Sequence, residues 1–413
     1  MIIGIPLELK PGERRVAMIP ANIKTWSEKG VEFLVQAGAG AEAGHLDKDY
    51  EEAGAKIVTD RAAIFAKADI ILQVQSFGAN NVNSAPDLAL LRPGQLIAGM
   101  MDPLASPETA QQLADKNVTA VAMELVPRIS RAQDMDVLSS MATLAGYKAV
   151  LLAASELPRI MPMLMTAAGT LQPARVLIMG AGVAGLQACA TAKRLGAVVE
   201  AYDVRAAARE QIISVGAKPI ELDLETEGAE GSGGYAAQQS EAFLQRQREL
   251  MNEVVAPQDI VITTAAVPGA KSPILVTNEM LNSMKPGSVI IDLAAERGGN
   301  CELTKLGERV EHNGVTILGP ENVPSTIPGH ASQMYSKNID VLLSHIIDEN
   351  NNLVLDFEDD IIAGTVATHG GEIPHAMIRN KLGLPELETP APAEPEQQPA
   401  AEEDSSSSAE TKE

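Results

Sequence analysis

Three glycines and one aspartate have the types and spacing to do chemistry. Residues 175–203 read RVLIMGAGVAGLQACATAKRLGAVVEAYD: an apolar run, Gly180-Ala-Gly182-Val-Ala-Gly185, a helical pattern, and a second apolar run ending at Asp203. Gly180 can turn sharply off a strand end. Gly182 has no Cβ to keep a pyrophosphate from the backbone, and Gly185 lets a helix pack closely on the strand. The helix that follows aims its unpaired N–H groups and positive dipole end at the phosphate position, with Val183 in the turn. Asp203 stands eighteen residues past Gly185, where an acidic side chain accepts hydrogen bonds from both adenosine ribose hydroxyls and repels a 2′-phosphate. The pattern predicts an NAD(H) site in preference to an NADP(H) site, and Arg205, two residues on, tempers that preference.

A second polar stretch is residues 127–139, PRISRAQDMDVLS. Arg128, Arg131, Gln133, Asp134, Asp136 and Ser139 can form a polar cluster for a carboxamide and a ribose. The same residues also read as a plain helix start, with Asp136 or Ser130 as N-cap and the arginines in solvent. Between Asp223 and Gln239 lies LETEGAEGSGGYAAQ, acidic and glycine-rich with one aromatic, Tyr235. A loop of this length is either a lid over the nicotinamide or a surface insertion. Gly38-Ala-Gly40 imitates the first fingerprint, but the sequence after it is short, charged and broken by Gly44 and Gly54. A plain turn is the better reading there.

Positioning these groups requires a sheet. Short apolar runs at 2–5, 31–35, 56–58, 70–74, 95–98 and 118–121 alternate with helical patterns, which predicts a largely parallel sheet covered on both faces. A second set, the two runs of the fingerprint with 219–222, 260–264, 289–292 and 315–318, makes six strands, the number of a doubly wound dinucleotide fold. The expected fold class is α/β, with two doubly wound Rossmann-like domains joined by long helices at about 137–156 and 334–348. The expected domains are 1–136 with 328–384, and 137–327. Residues 385–413 hold nine Asp or Glu against one Lys and almost no large apolar side chain, so they form an acidic tail expected to be disordered. The formal charge of −23 argues against a nucleic-acid partner. Two distant cysteines, Cys189 and Cys301, fit a reducing cytoplasm and lack metal-ligand spacing. No run of eighteen apolar residues occurs, and the amino terminus opens on a strand-like segment in place of a signal core.

Over about residues 1–380 the chain resembles the soluble NAD(H)-binding α subunit of the proton-translocating NAD(P) transhydrogenases. The matching segments are PGERRVAMIP, PRISRAQDMDVLSS, LAGYKAV, MTAAGT, GAGVAGLQA, DVRAA, GGYA, TTAAVPG, SVIIDLA and GGNCELT. The resemblance implies that Arg128, Gln133, Asp136 and Ser139 hold the nicotinamide end, in the segment that includes Asp134 and Met135. It implies that Asp203, Val204 and Arg205 serve the adenosine ribose, Gly234 and Tyr235 the mobile loop, and Gln247 and Ala266 further contacts. It also implies a homodimer at the cytoplasmic face of the inner membrane, attached through membrane-embedded subunits that include an NADP(H)-binding β subunit.

The competitor within the same fold is alanine dehydrogenase, which needs a lysine and a histidine on successive strands for keto-acid chemistry. The corresponding segments, DIILQVQ (69–75) and QLIAGMMD (95–102), hold neither, and Glu296 stands where a catalytic aspartate belongs. Gln73 itself departs from the transhydrogenase pattern, where lysine is common. Hydride transfer between two nicotinamides needs no general acid and no metal, only positioning. A non-catalytic NAD(H) sensor is an alternative of another class.

Overall fold

The protein is described by a computed structural model for residues 1–222, 241–266, 269–385 and 387. Gly234 and Tyr235, and the acidic tail beyond residue 387, lie outside the described residues.

The first six strands, β1 (Ile2–Ile5), β2 (Glu32–Gln36), β3 (Lys56–Val58), β4 (Ile70–Gln75), β5 (Leu96–Met100) and β6 (Thr119–Ala122), form one sheet. A hairpin follows, β7 (Leu164–Thr166) and β8 (Gly169–Leu171). A second sheet comprises β9 (Arg175–Met179), β10 (Val198–Tyr202), β11 (Lys218–Pro219), β12 (Ile260–Thr263), β13 (Val289–Asp292), β14 (Arg309–His312) and β15 (Val315–Leu318). Strand β16 (Val366–Thr368) returns to the first sheet. The two sheets repeat one parallel order, β3-β2-β1-β4-β5-β6 and β11-β10-β9-β12-β13-β15, in which the chain reverses direction after the third strand. Each also carries an antiparallel edge strand, β16 on β6 and β14 on β15. Helices crossing over both faces bury β4, β12 and β13 along their whole length, which is why these strands are mostly apolar, with Gln73 and Gln75 as buried exceptions in β4.

The second sheet thus has seven strands where six are expected. The added β14, Arg-Val-Glu-His, is a polar edge strand with no apolar run to announce it. The third strand is Lys218–Pro219 instead of running from 219 to 222, although the Ile220 N–H still donates to the Ala201 carbonyl at 2.8 Å.

The helix Val137–Glu156 joins the two halves by contributing to both cores. Val137 and Met141 belong to the first core, while Ala149, Val150 and Ala153 belong to the core under β9, β12 and β13. Between these groups lies Gly146, where an added Cβ would stand 2.0 Å from the Ala184 carbonyl oxygen. The fingerprint helix, Val183–Arg194, can therefore lie directly on the bridging helix. The return helix is Pro328–Ile346, starting six residues before the expected 334, and it buries Ala331, Tyr335, Ile339, Leu342 and Ile346 in the first core.

Candidate nucleotide site

In an open α/β sheet a ligand sits beyond the carboxyl ends of the strands where the order reverses, which in the second sheet is between β9 and β12. The fingerprint turn leaves β9 there. Gly180 adopts φ +105°, and an added Cβ would lie 2.6 Å from Thr264 Oγ1, which donates to the Gly180 carbonyl at 3.0 Å. A Cβ on Gly185 would strike that same carbonyl at 1.8 Å. Gly182 caps the helix, and a Cβ built on it meets no protein atom within 4 Å. Two glycines are thus fixed by contact inside the protein, and the middle one, with the exposed Val183, faces open space. That is the cradle a pyrophosphate needs.

Asp203 ends β10 with its side chain 7% exposed. Its carboxylate accepts from the Ala181 N–H at 2.7 Å, and from the Arg205 N–H, Nε and Nη2, each at 2.9 Å. Burial pushes this carboxyl up, and the hydrogen bonds from Arg205 and Ala181 outweigh it, leaving the group below the usual aspartate range. Asp203 therefore ties the glycine turn to the strand end, and Arg205 packs onto it. Val204 lies partly buried against the neighbouring core. Gln247 is 2% exposed and donates to the Tyr202 hydroxyl at 2.8 Å, supporting β10 from within. Ala266 is exposed past the end of β12. Asn300, fully buried, grips that segment by donating to the Ala265 carbonyl and accepting from its N–H.

The polar stretch before the bridging helix is a short 3₁₀ segment, Ser130–Met135. Ala132 and Met135 point into the first core, while Arg128, Gln133 and Asp134 are exposed. Of the two readings of residues 127–139, the helix start describes Asp136. Its carboxylate accepts from the Ser139 N–H at 2.9 Å and Oγ at 2.6 Å, capping Val137–Glu156. Arg131, half exposed, pairs with Asp359 at 2.5 Å. Ten residues separate Asp136 from Gly146, about 15 Å along a helix, so the polar segment lies roughly that far from the fingerprint helix.

The other glycine pair leads nowhere. Asp47 accepts from the Gly38 N–H at 2.8 Å, and a Cβ on Gly40 would overlap the buried Tyr50 ring. The turn is closed by its own chain.

The carboxyl end of β4, at the centre of the first sheet, carries its own polar groups. The Gln73 amide donates to Asp87 at 3.4 Å and its backbone carbonyl accepts from the Tyr335 hydroxyl at 2.9 Å. The backbone N–H groups of Val74 and Gln75 donate to Glu8. Arg15, 2% exposed, is gripped by Glu13 at 2.7 and 2.6 Å and contacts Asn322. Burial raises Glu13, but Arg15 and Asn322 overcome it and bring the group down to about 2. Burial, helped by the nearby Glu13 charge, pushes Glu8 up to about 8. Across the crevice Arg297 Nη2 meets Asp102 at 2.7 Å. Sequence reasoning missed Thr264, Asn300 and the Glu13–Arg15 pair as parts of this region; PGERR, TTAAVPG and GGNC carried them as motifs without a stated task.

The alanine dehydrogenase/PNT N-terminal domain model matches residues 4–145, and the C-terminal domain model of the same family matches 149–376. The chain is 46% identical over 380 residues to an NAD(P) transhydrogenase subunit alpha chain of Rhodospirillum rubrum, covering 92% of this chain and 99% of that one. It is 43% identical to NAD(P) transhydrogenase subunit alpha of Haemophilus influenzae, over 92% and 73% of the two chains. Alanine dehydrogenase of Bacillus subtilis is 28% identical over 93% of this chain and 95% of that one. The structure of a transhydrogenase from Sinorhizobium meliloti superposes with a TM-score of 0.80 at 45% identity, covering 90% and 100% of the two chains. That of an L-alanine dehydrogenase gives 0.76 at 25%, covering 93% and 99%. The chain belongs to the alanine dehydrogenase/PNT family and within it is more similar to the transhydrogenase α subunits, with the alanine dehydrogenases as more distant relatives.

Proposed function

We propose that this chain is the NAD(H)-binding subunit of a proton-translocating transhydrogenase, exchanging hydride directly with NADP(H) held on a partner β subunit. The observation that carries the reading is at the ends of β4 and β5. Where a keto-acid dehydrogenase needs a lysine and a histidine, this chain has Gln73, Gln75 and residues 100–102, Met-Met-Asp. Without that acid–base pair, the chemistry consistent with the crevice is one that moves no proton at the reacting carbon.

Bound in the crevice, NAD(H) supplies or accepts the hydride. The chain's own residues hold it and aim it. Gly180, Gly182, Val183 and Gly185 receive the pyrophosphate, and Asp203, with Val204 and Arg205, meets the adenosine ribose. Ala266 lines the way, Gln247 supports it from behind through Tyr202, and Arg128, Gln133, Asp134, Met135, Asp136 and Ser139 form the ring end. Gly234 and Tyr235, outside the described residues, are assigned to the ring end by the family resemblance alone. The exposed Gln133 can both donate to and accept from a carboxamide, and Asp136, by capping the bridging helix, fixes the base of the segment that carries it.

Membrane coupling is assigned to partner subunits. Among the described residues one helix, Val137–Glu156, is long and apolar enough to cross a bilayer, and it is the one that enters both cores. A homodimer is supported by the hairpin β7–β8, whose side chains are all exposed, Met165 by 74%.

The test mixes the purified chain with an NADP(H)-binding partner and follows reduction of an NAD analogue by NADPH. Turnover is expected only in the mixture. Alanine-dependent NAD reduction by the chain alone would overturn the reading in favour of a dehydrogenase.

A further inference from the structure

The segment Ser130–Met135 is held from the far end of the chain. Asn338, on the return helix and 5% exposed, donates Nδ2 to the Asp134 carbonyl at 2.7 Å. Their separation of 204 positions along the chain makes this a tertiary clamp. On the other side of Gln133, Arg131 reaches Asp359 at 2.5 Å and Asp360 at 3.6 Å. Asp359 is itself fixed by the Ile361 N–H at 3.1 Å, capping Asp360–Thr365, and by His345 Nε2 at 2.5 Å. Ala132 and Met135 are anchored in the core, and Asp136 caps the helix that follows. Gln133 is therefore flanked on both sides by fixed points while its own side chain stays exposed.

Asn338 makes its single bond at a disadvantage. Its Oδ1 is buried and accepts no hydrogen bond from the protein, an arrangement that weakens folding. Flipping the amide would not help, since Oδ1 would then face the Asp134 carbonyl. An apolar residue would remove the unpaired oxygen but would also leave the Asp134 carbonyl without this donor, so what this asparagine supplies is the placement of that carbonyl. Local cost of this kind is characteristic of functional sites.

We infer that Asn338 and Asp359 are positioning residues for the nicotinamide end, acting through the backbone on either side of Gln133 without touching the nucleotide. The inference rests on the proposed function, because it requires that Gln133 aim the ring. A ring misplaced by about 1 Å can lose on the order of a hundredfold in rate, whereas the pyrophosphate and ribose contacts, about 15 Å away along the bridging helix, would be unaffected.

The experiment uses the full chain with its NADP(H)-binding partner. In folded Asn338→Leu, NADH affinity, read by NADH fluorescence, should stay within about threefold, while hydride transfer falls by about tenfold or more. In the chain without partner or nucleotide, amide exchange across residues 131–136 should speed up. Asp359→Asn, which keeps an oxygen for the Ile361 cap but loses the charge facing Arg131, should reproduce a weaker form of the same split. If Asn338→Leu misfolds, Asn338→Ser takes its place. An unchanged rate, or a rate loss accompanied by an equal loss of NADH binding, overturns the inference. Gln133→Ala separates the two levels: a normal rate in that variant removes the ring-site reading, and faster exchange at 131–136 in Asn338→Leu would still register the clamp.

Discussion

At the scale of single residues, one carboxylate is tied into a binding turn and another is a pH sensor of stability. Asp203 supports the Ala181 N–H and the Arg205 side chain, and in the proposed site it also meets the ribose. Asp203→Ala is expected to raise the NADH dissociation constant by ten- to a hundredfold, about 1.4 kcal/mol per power of ten. Asp203→Asn, which keeps one acceptor, should fall between. An unchanged constant in fluorescence titration would move the adenosine site elsewhere. Glu8 acts through protons. Its carboxyl is raised from 4.5 to about 8, so the folded chain holds a proton that the unfolded chain releases. Its contribution to stability is complete below about pH 4.5 and is lost as pH rises through about 8. Glu13, lowered to about 2, has the opposite sign, contributing fully above 4.5 and losing it only in strong acid. Urea midpoints taken between pH 5 and pH 8 should therefore fall less steeply for Glu8→Gln than for the native chain. A residual fall should remain, because burial also pushes Glu124 up to about 7. Equal slopes in the two proteins would show that Glu8 ionises normally.

At the scale of elements, the close approach at Gly146 couples the bridging helix to the fingerprint helix. Gly146→Ala would force a methyl group to within 2.0 Å of a backbone oxygen, and because neither helix can give way easily, overpacking should cost about 1–3 kcal/mol. The displaced helix start should weaken NADH binding as well, and a variant with native stability and native affinity would sink the coupling. Gly146 also marks the limit of what sequence could reveal. Strands buried on both faces, such as β12 and β13, were legible as apolar runs, whereas the partly exposed β11, expected at 219–222, ends at Pro219, and Asp136 was legible as one of two N-cap candidates, the other being Ser130. The edge strands were not: β14 is polar and β16 has three residues, and their pairing is decided by neighbours far along the chain. The hairpin β7–β8 hid in a stretch whose alanines and glycine look like a linker. Asn338 was silent because its one contact lies 204 residues away. The glycine fingerprint could be read because its geometry is local.

At the scale of the whole molecule, the hairpin is the element with the least support from its own chain. A two-stranded ribbon is marginal in water, and among the described residues β7 and β8 pair with each other as a separate sheet. Met163, Leu164, Met165 and Leu171 are between 46% and 74% exposed, an apolar concentration that in a soluble protein marks a contact surface. In the proposed homodimer a second copy covers it. Met165→Asp combined with Leu171→Asp should therefore shift the chain from dimer to monomer in sedimentation at micromolar concentration. The same change should leave each protomer's core intact, since surface substitutions away from buried features usually stay within about 0.5 kcal/mol. The two sheets and the nucleotide crevice lie within one chain, so NADH affinity per protomer should be nearly unchanged in the monomeric variant. If the native chain already sediments as a monomer, or if the charged hairpin still forms dimers of the same dissociation constant, the hairpin is not the dimer contact and a different surface must be sought.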